Sequence, residues 1–432
     1  MYTQYSTVLR GETVNKIREN LLSHSIWVSI SQYSLMGFNF LSQLIYTRLL
    51  SSTDFGIYGL AISITEITRS MFALSFNISY IVFDGEQVRL FNTAFFLAAL
   101  QNVVFIVIFL IIYAVFIKLN IYKPRVLNLS LYYMIVSIFA SFNYLFFAYF
   151  DKRRDFKQTI FPIFFSGVLA FLGGLFVAIK WRNYYALLIR DLISSITLLF
   201  ILGFLIFYKE KNKINPRFFD FKIALKMLKY GFNMILARFS EVLFFRLDML
   251  LLGKIYTSNK IGYYERGKYI ANMFFTLLNP ISTRLTLPVY SAFKFEREKN
   301  KKMVKVLSLY LLIPTLLFAS IIVFFPEFVI SLLYGTKWIS LKPILLFFLI
   351  YITASPIFQN LKQYLYAMER VAMVTYIRLF QIVLFTLSFF FIGRILNNYL
   401  HASALSLGIA TLFAIIPEML SFTKTHQRER EY

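Results

Sequence analysis

The sequence predicts an all-α, polytopic integral membrane protein with about twelve transmembrane helices. Of its 432 residues, 59% are hydrophobic and only 15% are charged, and the mean hydropathy is +0.66. Apolar stretches of roughly 20 residues, the length that crosses a hydrocarbon core of about 30 Å, recur from end to end with short polar runs between them. Soluble globular proteins contain fewer hydrophobic and more charged residues, so the membrane is the expected environment of almost the whole chain.

The expected spans follow one another closely along the chain. Their approximate limits are 25–47, 57–82, 91–117, 127–150, 159–179, 184–208, 231–252, 267–290, 306–326, 343–366, 371–393 and 400–422. The polar segment 1–24 precedes the first span, which is too long for a signal peptide and lacks a cleavage pattern of small residues. We therefore expect no signal peptide.

Cysteine and the common catalytic motifs are missing from the sequence. The three histidines, His24, His401 and His426, are too widely separated to suggest a metal site. The chain has no G-x-x-x-x-G-K-[ST] phosphate loop, no H-E-x-x-H metal pair and no suitable Ser, His and Asp set. We expect neither enzymatic activity nor a cofactor or metal.

Lysine and arginine are distributed unevenly between the two sides of the membrane. With the amino terminus in the cytoplasm, the cytoplasmic segments hold 25 of these residues and the opposite side holds 13. Loops 209–230 and 291–305 contribute most of the excess. Their basic residues are interpreted as topology anchors that lie near anionic lipid headgroups. Such an excess marks cytoplasmic loops, so both termini are expected in the cytoplasm. It also explains the net charge of +24 without a nucleic-acid partner.

Tyrosine and tryptophan collect near the ends of the expected spans. Examples are Tyr132, Tyr133, Trp181, Tyr184, Tyr185, Tyr263, Tyr264 and Trp338. Aromatic side chains of this kind are enriched where the bilayer meets water. We expect these residues to form that interfacial belt.

A short internal repeat divides the sequence into two halves. Arg48–Tyr58 and Lys254–Tyr264 share a basic residue, a pair of hydroxyl residues, a glycine and a tyrosine at an offset of 206 positions. The offset contains six spans, so both halves would have the same orientation and be related by an axis along the membrane normal. We expect an N-terminal six-helix bundle over 1–208, a cytoplasmic basic linker over 209–230 and a C-terminal six-helix bundle over 231–432.

Charged residues also lie inside the expected spans. The basic ones are Arg69, Arg190, Arg238, Arg246, Arg284, Lys362 and Arg378, and the acidic ones are Glu66, Asp191, Glu241 and Asp248. A charge at the bilayer centre costs at least about 2.5–3.5 kcal/mol, so such residues usually face a bundle interior or an aqueous cavity. The surplus of three positive charges predicts a cationic cavity for an anionic substrate.

Arginine suits a phosphate-bearing substrate, because its planar guanidinium stays charged and binds two oxygens at once. The preferred pyrophosphate contacts are Arg238, Arg246, Arg284 and Arg378, and the further cationic residues of the cavity are Arg69, Arg190 and Lys362. For each arginine, helix packing or snorkelling to the interface is the alternative. Glu66 and Asp248 are candidates for ion or proton coupling, since a carboxylate at membrane depth can change its protonation.

Local ion pairs give a second interpretation of the same charges. The pairs are Glu66 with Arg69, Arg238 with Glu241, Arg190 with Asp191, and Asp248 with Arg246. Glu66 with Arg69 and Arg238 with Glu241 are three residues apart and so are neighbours on one helix face, whereas Asp191 adjoins Arg190 and Asp248 lies two residues from Arg246. The pairs are therefore interpreted either as salt bridges that orient helices or as ligand-binding groups.

Three stretches of the chain together resemble a known transporter family. They are Tyr46–Tyr58, the run Arg246–Gly253 that leads to Ile261–Tyr264, and Tyr334–Trp338 before a proline. In order and spacing they are similar to the polysaccharide flippases, the Wzx-type O-antigen transporters of the multidrug, oligosaccharidyl-lipid and polysaccharide exporter superfamily. The resemblance extends over essentially the whole chain.

The resemblance implies two six-helix bundles around a central cavity that opens alternately to each side. It further implies a flippase that moves undecaprenyl-pyrophosphate-linked oligosaccharide repeat units, for the O-antigen of lipopolysaccharide or a related surface polysaccharide, across the bacterial inner membrane. The polyprenyl tail would stay among membrane lipids, and a polysaccharide polymerase and chain-length machinery would be partners. Tyr80, Tyr144 and Tyr376 would be candidates for stacking on sugars, with a lipid-facing or core role as the alternative.

Three other functions compete with this expectation. A multidrug or small-molecule exporter of the same superfamily would be expected to place carboxylates rather than arginines in its cavity. A glycan polymerase or ligase would usually carry a large periplasmic loop, and no outside loop here exceeds about twenty residues. A scaffold with no transport role would have little use for costly charges inside its spans.

Overall fold

The computed structural model describes residues 36–153, 155, 157–209, 214–292, 297–368 and 370–424. Every regular element among these residues is helical, and they contain no strand. Many of the helices are longer than the three or four turns that are about average in soluble proteins. The expected all-α class is confirmed.

The first seven helices precede the basic linker. They are α1, which includes residues 36–49, α2 (Ser52–Ser70), α3 (Phe76–Val82), α4 (Gln87–Lys118), α5 (Pro124–Arg153), α6 (Lys157–Trp181) and α7 (Tyr185–Phe204). A π-helical turn, Leu205–Lys209, continues α7, and a short 3-10 helix, Pro216–Phe218, lies within the linker. These helices coincide with the first six expected spans, of which the first is described from residue 36 onward.

Eight further helices follow among the described residues. They are α8 (Phe221–Ile255), α9 (Ser258–Ala292), α10 (Arg297–Phe324), α11 (Pro326–Tyr334), α12 (Lys342–Phe347), α13 (Leu349–Ala367), α14 (Val371–Leu396) and α15 (Tyr399–Lys424). A 3-10 helix, Thr336–Leu341, connects α11 to α12. Asp220 caps the start of α8, because its carboxylate accepts hydrogen bonds from the backbone N–H groups of Lys222 and Ile223.

Seven helices in the described ranges are long and apolar enough to cross a membrane. They lie in α4, α5, α6, α7, α10, α14 and α15. Residues 336–347 and α13 form a pair bent by 58°, which gives an eighth span if the pair is counted as one. The polytopic helical architecture is therefore confirmed, whereas the count of twelve spans stays a prediction.

Two expected spans are broken rather than continuous. The span expected over 57–82 ends as α2 at Ser70 and resumes as α3 at Phe76. Between them, Ser75 has a φ of 51°, in the left-handed region that a right-handed helix cannot include. The span expected over 343–366 is divided at Phe348. Hydropathy does not register such breaks, because the apolar run continues through them.

Helix α2 contacts helices of both halves, since it packs against α5, α8 and α9. A Cβ atom added at Gly56 would lie 1.8 Å from the carbonyl oxygen of Ser258. In return, a Cβ atom at Gly262 would lie 1.7 Å from the carbonyl oxygen of Ser52. The repeat offset of 206 positions relates both the glycines and the serines, so the contact is reciprocal, as a local two-fold relation requires.

A second contact between the two halves involves the 3-10 helix Thr336–Leu341. Lys337 Nζ donates to the carbonyl oxygens of Arg48 and Leu50, at 2.8 Å each. The indole N–H of Trp338 donates to the carbonyl oxygen of Thr47 at 3.0 Å. We refer to the side chains of Arg48, Lys337 and Trp338 as the clasp.

Trp338 is a core residue of this contact rather than an interfacial one. Its side chain is 1% exposed, and its indole packs against the rings of Phe55, Tyr263 and Tyr334. Arg48 completes the clasp by donating from Nη2 to the carbonyl oxygen of Leu332 at 2.8 Å. The expected place of Trp338 in an aromatic belt is therefore wrong, because the 3-10 helix turns the side chain inward.

Candidate substrate cavity

A cavity of about 620 Å³ lies between α2, α3, α4, α5 and α7 of the first half and α8 of the second. Its charged residues are Glu66, Arg69, Asp191 and Arg238. Its hydroxyl and amide residues are Ser70, Ser75, Asn77, Gln101, Tyr133, Ser137, Ser141, Tyr144, Ser194 and Ser195. We call it the large cavity. It brings together four of the charged residues that the sequence placed inside spans.

Helix α5 provides a polar face to the large cavity. Tyr133, Ser137, Ser141 and Tyr144 are separated by 4, 4 and 3 residues, which places them on one side of the helix. Phe146 is 3% exposed and packs in the aromatic core between α4 and α5. An otherwise apolar helix thus turns its hydroxyl groups toward one space.

Asp191 is bound by several donors at the edge of the large cavity. The hydroxyl groups of Tyr58 and Tyr133 donate to its carboxylate, the latter at 2.9 Å, and Arg190 Nη2 lies 2.7 Å from it. Arg190 also donates to the hydroxyl oxygen of Tyr58 at 2.9 Å. The expected pair of Arg190 with Asp191 is therefore present, within a larger network that includes two tyrosines.

Glu66 has a different ion pair from the one expected. Arg246 Nε lies 2.6 Å from Glu66 Oε2, which connects α2 with α8. Arg69 instead donates to the carbonyl oxygen of Ser137 at 2.6 Å, and its Cζ lies 5.9 Å from the ring centre of Tyr144. The expected pair of Glu66 with Arg69 is wrong, because α8 brings a guanidinium closer than the one on the same helix.

A second cavity, of about 290 Å³, lies beside α8. It is lined by Met234, Ala237, Arg238, Glu241, Tyr366, Val371, Val374, Thr375 and Arg378. We call it the small cavity. Arg238 lines both cavities and so stands at their common wall.

Glu241 is bound by bases from α13 and α14. Lys362 Nζ lies 3.0 Å and Arg378 Nη2 lies 3.7 Å from Glu241 Oε1. Arg378 is 3% exposed and also donates to Gln381 Oε1 at 2.7 Å. The expected salt bridge of Glu241 with Arg238 is wrong, because the neighbouring helices bring two bases closer and Arg238 is exposed toward the cavities.

Asp248 is fully buried in a separate network. Lys268 Nζ lies 2.6 Å from its Oδ2, and the hydroxyl of Tyr264 donates to the same oxygen at 2.6 Å. Ser403 donates to the hydroxyl oxygen of Tyr264 at 2.9 Å. The expectation that Arg246 is the local partner of Asp248 is wrong, because the two side chains leave α8 toward different helices.

The remaining expected contacts are scattered. The side chain of Arg284 lies outside the described residues. Tyr144 lines the large cavity, whereas Tyr80 is fully buried in the core and Tyr376 is 69% exposed on α14. No cluster of three metal-ligating side chains occurs in the part of the chain that the structure describes. Of the three tyrosines, Tyr144 is therefore the one placed to contact a ligand in this cavity.

The tyrosine of the repeat binds a carboxylate in each half, a contact that the count of charged residues did not predict. Tyr58 and Tyr264 are 206 positions apart, and each donates to a carboxylate, Asp191 in one half and Asp248 in the other. A buried tyrosine hydroxyl needs a hydrogen-bond partner. The occurrence of tyrosine in both copies of the repeat was therefore a signal that each tyrosine has a polar partner, although it did not identify the two acids.

Sequence comparison connects the chain with polysaccharide synthesis. A family model described as "Polysaccharide biosynthesis protein" matches residues 45–343. The chain is also similar to the teichuronic acid biosynthesis protein TuaB of Bacillus subtilis (strain 168). The identity is 23% over 337 residues, which cover 76% of this chain and 67% of that protein.

Solved transporters share the fold at low sequence identity. Lipid II flippase MurJ, in an inward closed conformation, has 16% identity and a TM-score of 0.69, over 92% of this chain and 88% of that one. An inward-facing multidrug resistance MATE family transporter of the MOP superfamily has 14% identity and a TM-score of 0.66, over 89% and 93%. The fold is thus that of MOP superfamily transporters. Because the family model covers well over half of its length, the chain belongs to the polysaccharide biosynthesis protein family.

Proposed function

We propose that the protein is a flippase that translocates undecaprenyl-pyrophosphate-linked oligosaccharide repeat units across the bacterial inner membrane by alternating access. The units would belong to O-antigen or a related surface polysaccharide. The observation that carries this proposal is the large cavity, which combines eight hydroxyl groups and two amides with two arginines. The family membership and the fold shared with a lipid II flippase support it.

The large cavity offers the groups that a glycan needs. Hydroxyl and amide side chains both donate and accept hydrogen bonds, as sugar hydroxyl groups do. Tyr144 is exposed at the wall and can present its ring to a sugar. The volume of about 620 Å³ lies in the usual range of small-molecule sites, about 300–1,000 Å³. A short repeat unit therefore suits the cavity better than a long polymer.

The arginines around the large cavity have two roles in this mechanism. Arg69 and Arg238 line the cavity and would contact the anionic part of the substrate. Arg190 and Arg246 bind the two cavity acids and so keep the space from being negatively charged. The other proposed contacts are Arg284, Lys362 and Arg378.

A multidrug or small-molecule exporter is the second candidate, because the MATE transporter shares the fold. An exporter of organic cations needs a carboxylate that is open to its ligand. Glu66 is bound by Arg246, and Asp191 by a guanidinium and two tyrosine hydroxyl groups. Because Glu66 and Asp191 are already bound by protein donors, neither is open to an organic cation, and the cavity favours an anionic substrate.

Alternating access would use the two halves, 1–208 and 231–432, as bundles that move about the cavity, with 209–230 as a cytoplasmic linker and both termini in the cytoplasm. The clasp would close the outer end until the bundles separate. Glu66 and Asp248 would couple transport to an ion gradient, since protonation of either would break an ion pair. A polysaccharide polymerase and chain-length machinery would take over the product.

The test is the amount and leaflet of undecaprenyl-pyrophosphate-linked oligosaccharide in cells that lack the protein, compared with cells that express it. We expect accumulation in the cytoplasmic leaflet and loss of surface glycan, and the mass of the accumulated lipid would identify the sugars. Unchanged lipid-linked glycan with normal surface polymer, in a strain without another exporter, would contradict the proposal and favour small-molecule export.

The double variant Arg69→Gln/Arg238→Gln tests the cavity arginines in the same cells. A hydrogen bond from a charged group contributes about 1.5–3 kcal/mol, so export should fall at least about tenfold at equal protein level. Arg217→Gln is the matched control, because Arg217 is an exposed arginine of the linker outside both cavities. Full export by the double variant would exclude a role for the two arginines.

A further inference from the structure

The end of the molecule opposite the linker contains few acids. Its helix ends and connections, which we call the outer face, comprise residues 48–54, 118–125, 180–184, 254–260, 325–342 and 394–401. These segments contain 11 lysine and arginine residues but only two acids, Asp54 and Glu327. Asp54 caps the start of its own helix, and Glu327 lies 2.7 Å from Lys342. The outer face therefore carries a surplus of positive charge.

The positive-inside rule does not explain this surplus. The rule places lysine and arginine in cytoplasmic loops, and the segments on the opposite side usually carry few of them. At the linker end of the molecule, the bases are accompanied by several acids, including Asp84, Glu86, Asp151, Asp155 and Asp220. A surface with charges of one sign raises the local concentration of ligands of the opposite sign, so the outer face favours an anionic ligand.

Lys260 occupies a position that suits an acid. In the repeat it corresponds to Asp54, 206 positions earlier, and both residues lie in the first turn of their helices, α9 and α2. The Asp54 carboxylate accepts a hydrogen bond from the backbone N–H of Ser51 at 3.0 Å. The N-terminus of a helix carries a partial positive charge, so a carboxylate stabilises it and an ammonium destabilises it. Lys260 forms no ion pair with any residue that the structure describes, so its charge is open to a ligand.

Lys260 lines a pocket of about 300 Å³ on the outer face, which we call the outer pocket. The lining contains no acid. Its other polar residues are Tyr256, Tyr263, Ser340, Asn397, Asn398 and His401. The volume is at the lower end of the usual range for small-molecule sites, about 300–1,000 Å³. The outer pocket therefore suits part of a glycan rather than a whole repeat unit.

Several side chains of the outer pocket are held in place by the protein. The Tyr256 hydroxyl accepts a hydrogen bond from the backbone N–H of Tyr399 at 2.9 Å, and Lys260 Nζ lies 5.2 Å from the centre of the Tyr256 ring. Asn398 Oδ1 accepts from the backbone N–H of Leu400 at 3.0 Å, which leaves the NH₂ group of Asn398 to donate. Side chains that are already fixed lose little freedom when a ligand binds, which favours affinity.

An acidic sugar combines the groups that this lining complements. A carboxylate accepts hydrogen bonds from an ammonium and from amide N–H groups, and sugar hydroxyl groups both donate and accept. A neutral sugar would leave the charge of Lys260 uncompensated. A small inorganic anion would leave the hydroxyl and amide groups of the lining without a partner.

We propose that the outer pocket binds a carboxylate-bearing sugar of the exported glycan after translocation. The carboxylate contacts Lys260, and the sugar hydroxyl groups contact Ser340, Asn397 and Asn398. The other bases of the outer face attract the same anionic glycan. This inference rests on the proposed function and deepens it, because it assigns the exported repeat unit to the acidic glycans.

A tetrasaccharide of galacturonic acid is the probe for the outer pocket. Its binding to the purified full-length protein in nanodiscs of zwitterionic lipid is measured by calorimetry at low ionic strength. Lys260→Gln should weaken binding by at least about tenfold, the loss of one charged hydrogen bond. Lys180→Gln is the matched control, because Lys180 is an exposed base of the outer face that does not line the pocket, and it should change the affinity by less than about twofold.

Lys260→Asp separates ligand binding from folding. The variant gives α9 the acid that Asp54 gives α2, so the unfolding temperature should stay equal or rise. Binding of the acidic tetrasaccharide should fall by more than it does in Lys260→Gln, because like charges then meet in the pocket. A protein that binds less while it unfolds at an equal or higher temperature has lost a ligand contact rather than its structure.

Asn397→Gly tests a neutral donor of the outer pocket. Asn397 has a φ of 50°, in the left-handed region that glycine adopts without strain, so the backbone is retained while the carboxamide is removed. Binding should weaken by about threefold, the effect of one neutral hydrogen bond.

Three binding results would overturn the acidic-sugar site. The first is the absence of tetrasaccharide binding by the unaltered protein. The second is an equal loss in Lys180→Gln and Lys260→Gln, which would show attraction by the whole outer face. The third is tighter binding of glycerol phosphate, the anionic group of a lipid headgroup, than of galacturonic acid, which would assign the pocket to lipid.

The lipid-linked unit that accumulates in cells lacking the protein gives a separate test. Its mass should include at least one carboxylated sugar. Accumulation of a neutral unit would refute the acidic-sugar site and leave the flippase standing. Unchanged lipid-linked glycan with normal surface polymer would instead refute the flippase itself.

Discussion

The two copies of the repeat place a tyrosine beside a carboxylate in contrasting surroundings. In the first half, Tyr58 donates to Asp191, which lines the large cavity and whose side chain is 19% exposed. In the second half, Tyr264 donates to an Asp248 that is fully buried and paired with Lys268. The same pairing of tyrosine with carboxylate therefore lies at the wall of a cavity in one half and among packed helices in the other.

The energetic meaning of this contrast lies in solvent exposure. Removal of one partner from a buried ion pair leaves a charge that neither water nor protein stabilises, whereas an exposed pair is screened and contributes little. The contrast therefore predicts a graded series of stability effects. The pair of Asp248 with Lys268 should come first, the reciprocal glycine contact next, and the pair of Glu66 with Arg246 last.

Asp248→Ala should have the largest effect on stability. The buried ammonium of Lys268 would lose its carboxylate, which should lower the free energy of unfolding by about 3–5 kcal/mol. Thermal unfolding of the purified protein measures the change. The double variant Asp248→Leu/Lys268→Met removes both charges and should recover most of the loss. An unfolding temperature of Asp248→Ala equal to that of the unaltered protein would contradict the claim that the buried pair of the second half contributes most to stability.

Gly56→Ala and Gly262→Ala should have intermediate and nearly equal effects. Each new methyl group meets a backbone oxygen within 2 Å, so α2 and α9 must separate, at a cost of about 1–3 kcal/mol. Gly37→Ala is the matched control, because a Cβ atom there has no neighbour within 4 Å and alanine favours a helix. Strongly unequal effects of the two substitutions would contradict the two-fold relation between the repeats.

Glu66→Gln should have the smallest effect on stability. Arg246 and Glu66 are 30% and 40% exposed in their pair, so its loss should cost less than about 1 kcal/mol. The unfolding temperature of this variant is compared with that of Asp248→Ala. Similar losses in the two variants would show that the large cavity does not expose its charges to solvent. Export by the same variant, with and without a proton gradient, tests the coupling role of Glu66.

The spans could be predicted because hydrophobic length is a local property of the sequence. The span expected over 91–117 lies within α4, Gln87–Lys118, and the span expected over 371–393 lies within α14, Val371–Leu396. The charged residues inside the spans also predicted a shared cavity in part, since Glu66, Arg69, Asp191 and Arg238 line one cavity, whose substrate stays a prediction. A charged side chain at membrane depth is costly, so such residues usually face the interior of a bundle or a water-filled cavity.

The partners of those charges could not be predicted from spacing. Glu66 is 180 positions from Arg246, and Glu241 pairs with bases of two other helices. Sequence spacing specifies neighbours on one helix, whereas these pairs depend on which faces of different helices meet. The prediction for Trp338 was wrong for a related reason. A tryptophan is equally suited to the membrane interface and to a buried position where one acceptor, here the carbonyl oxygen of Thr47, binds its indole N–H group.

The clasp consists of side-chain donors and main-chain acceptors. Lys337, Trp338 and Arg48 donate to carbonyl oxygens that include those of Thr47 and Leu332. Substitution at an acceptor position leaves its carbonyl group in place, so mutational drift in the acceptors cannot remove the contact. We expect the strength of this contact between the two halves to change in evolution through the three donors, where a single codon change removes one or two hydrogen bonds.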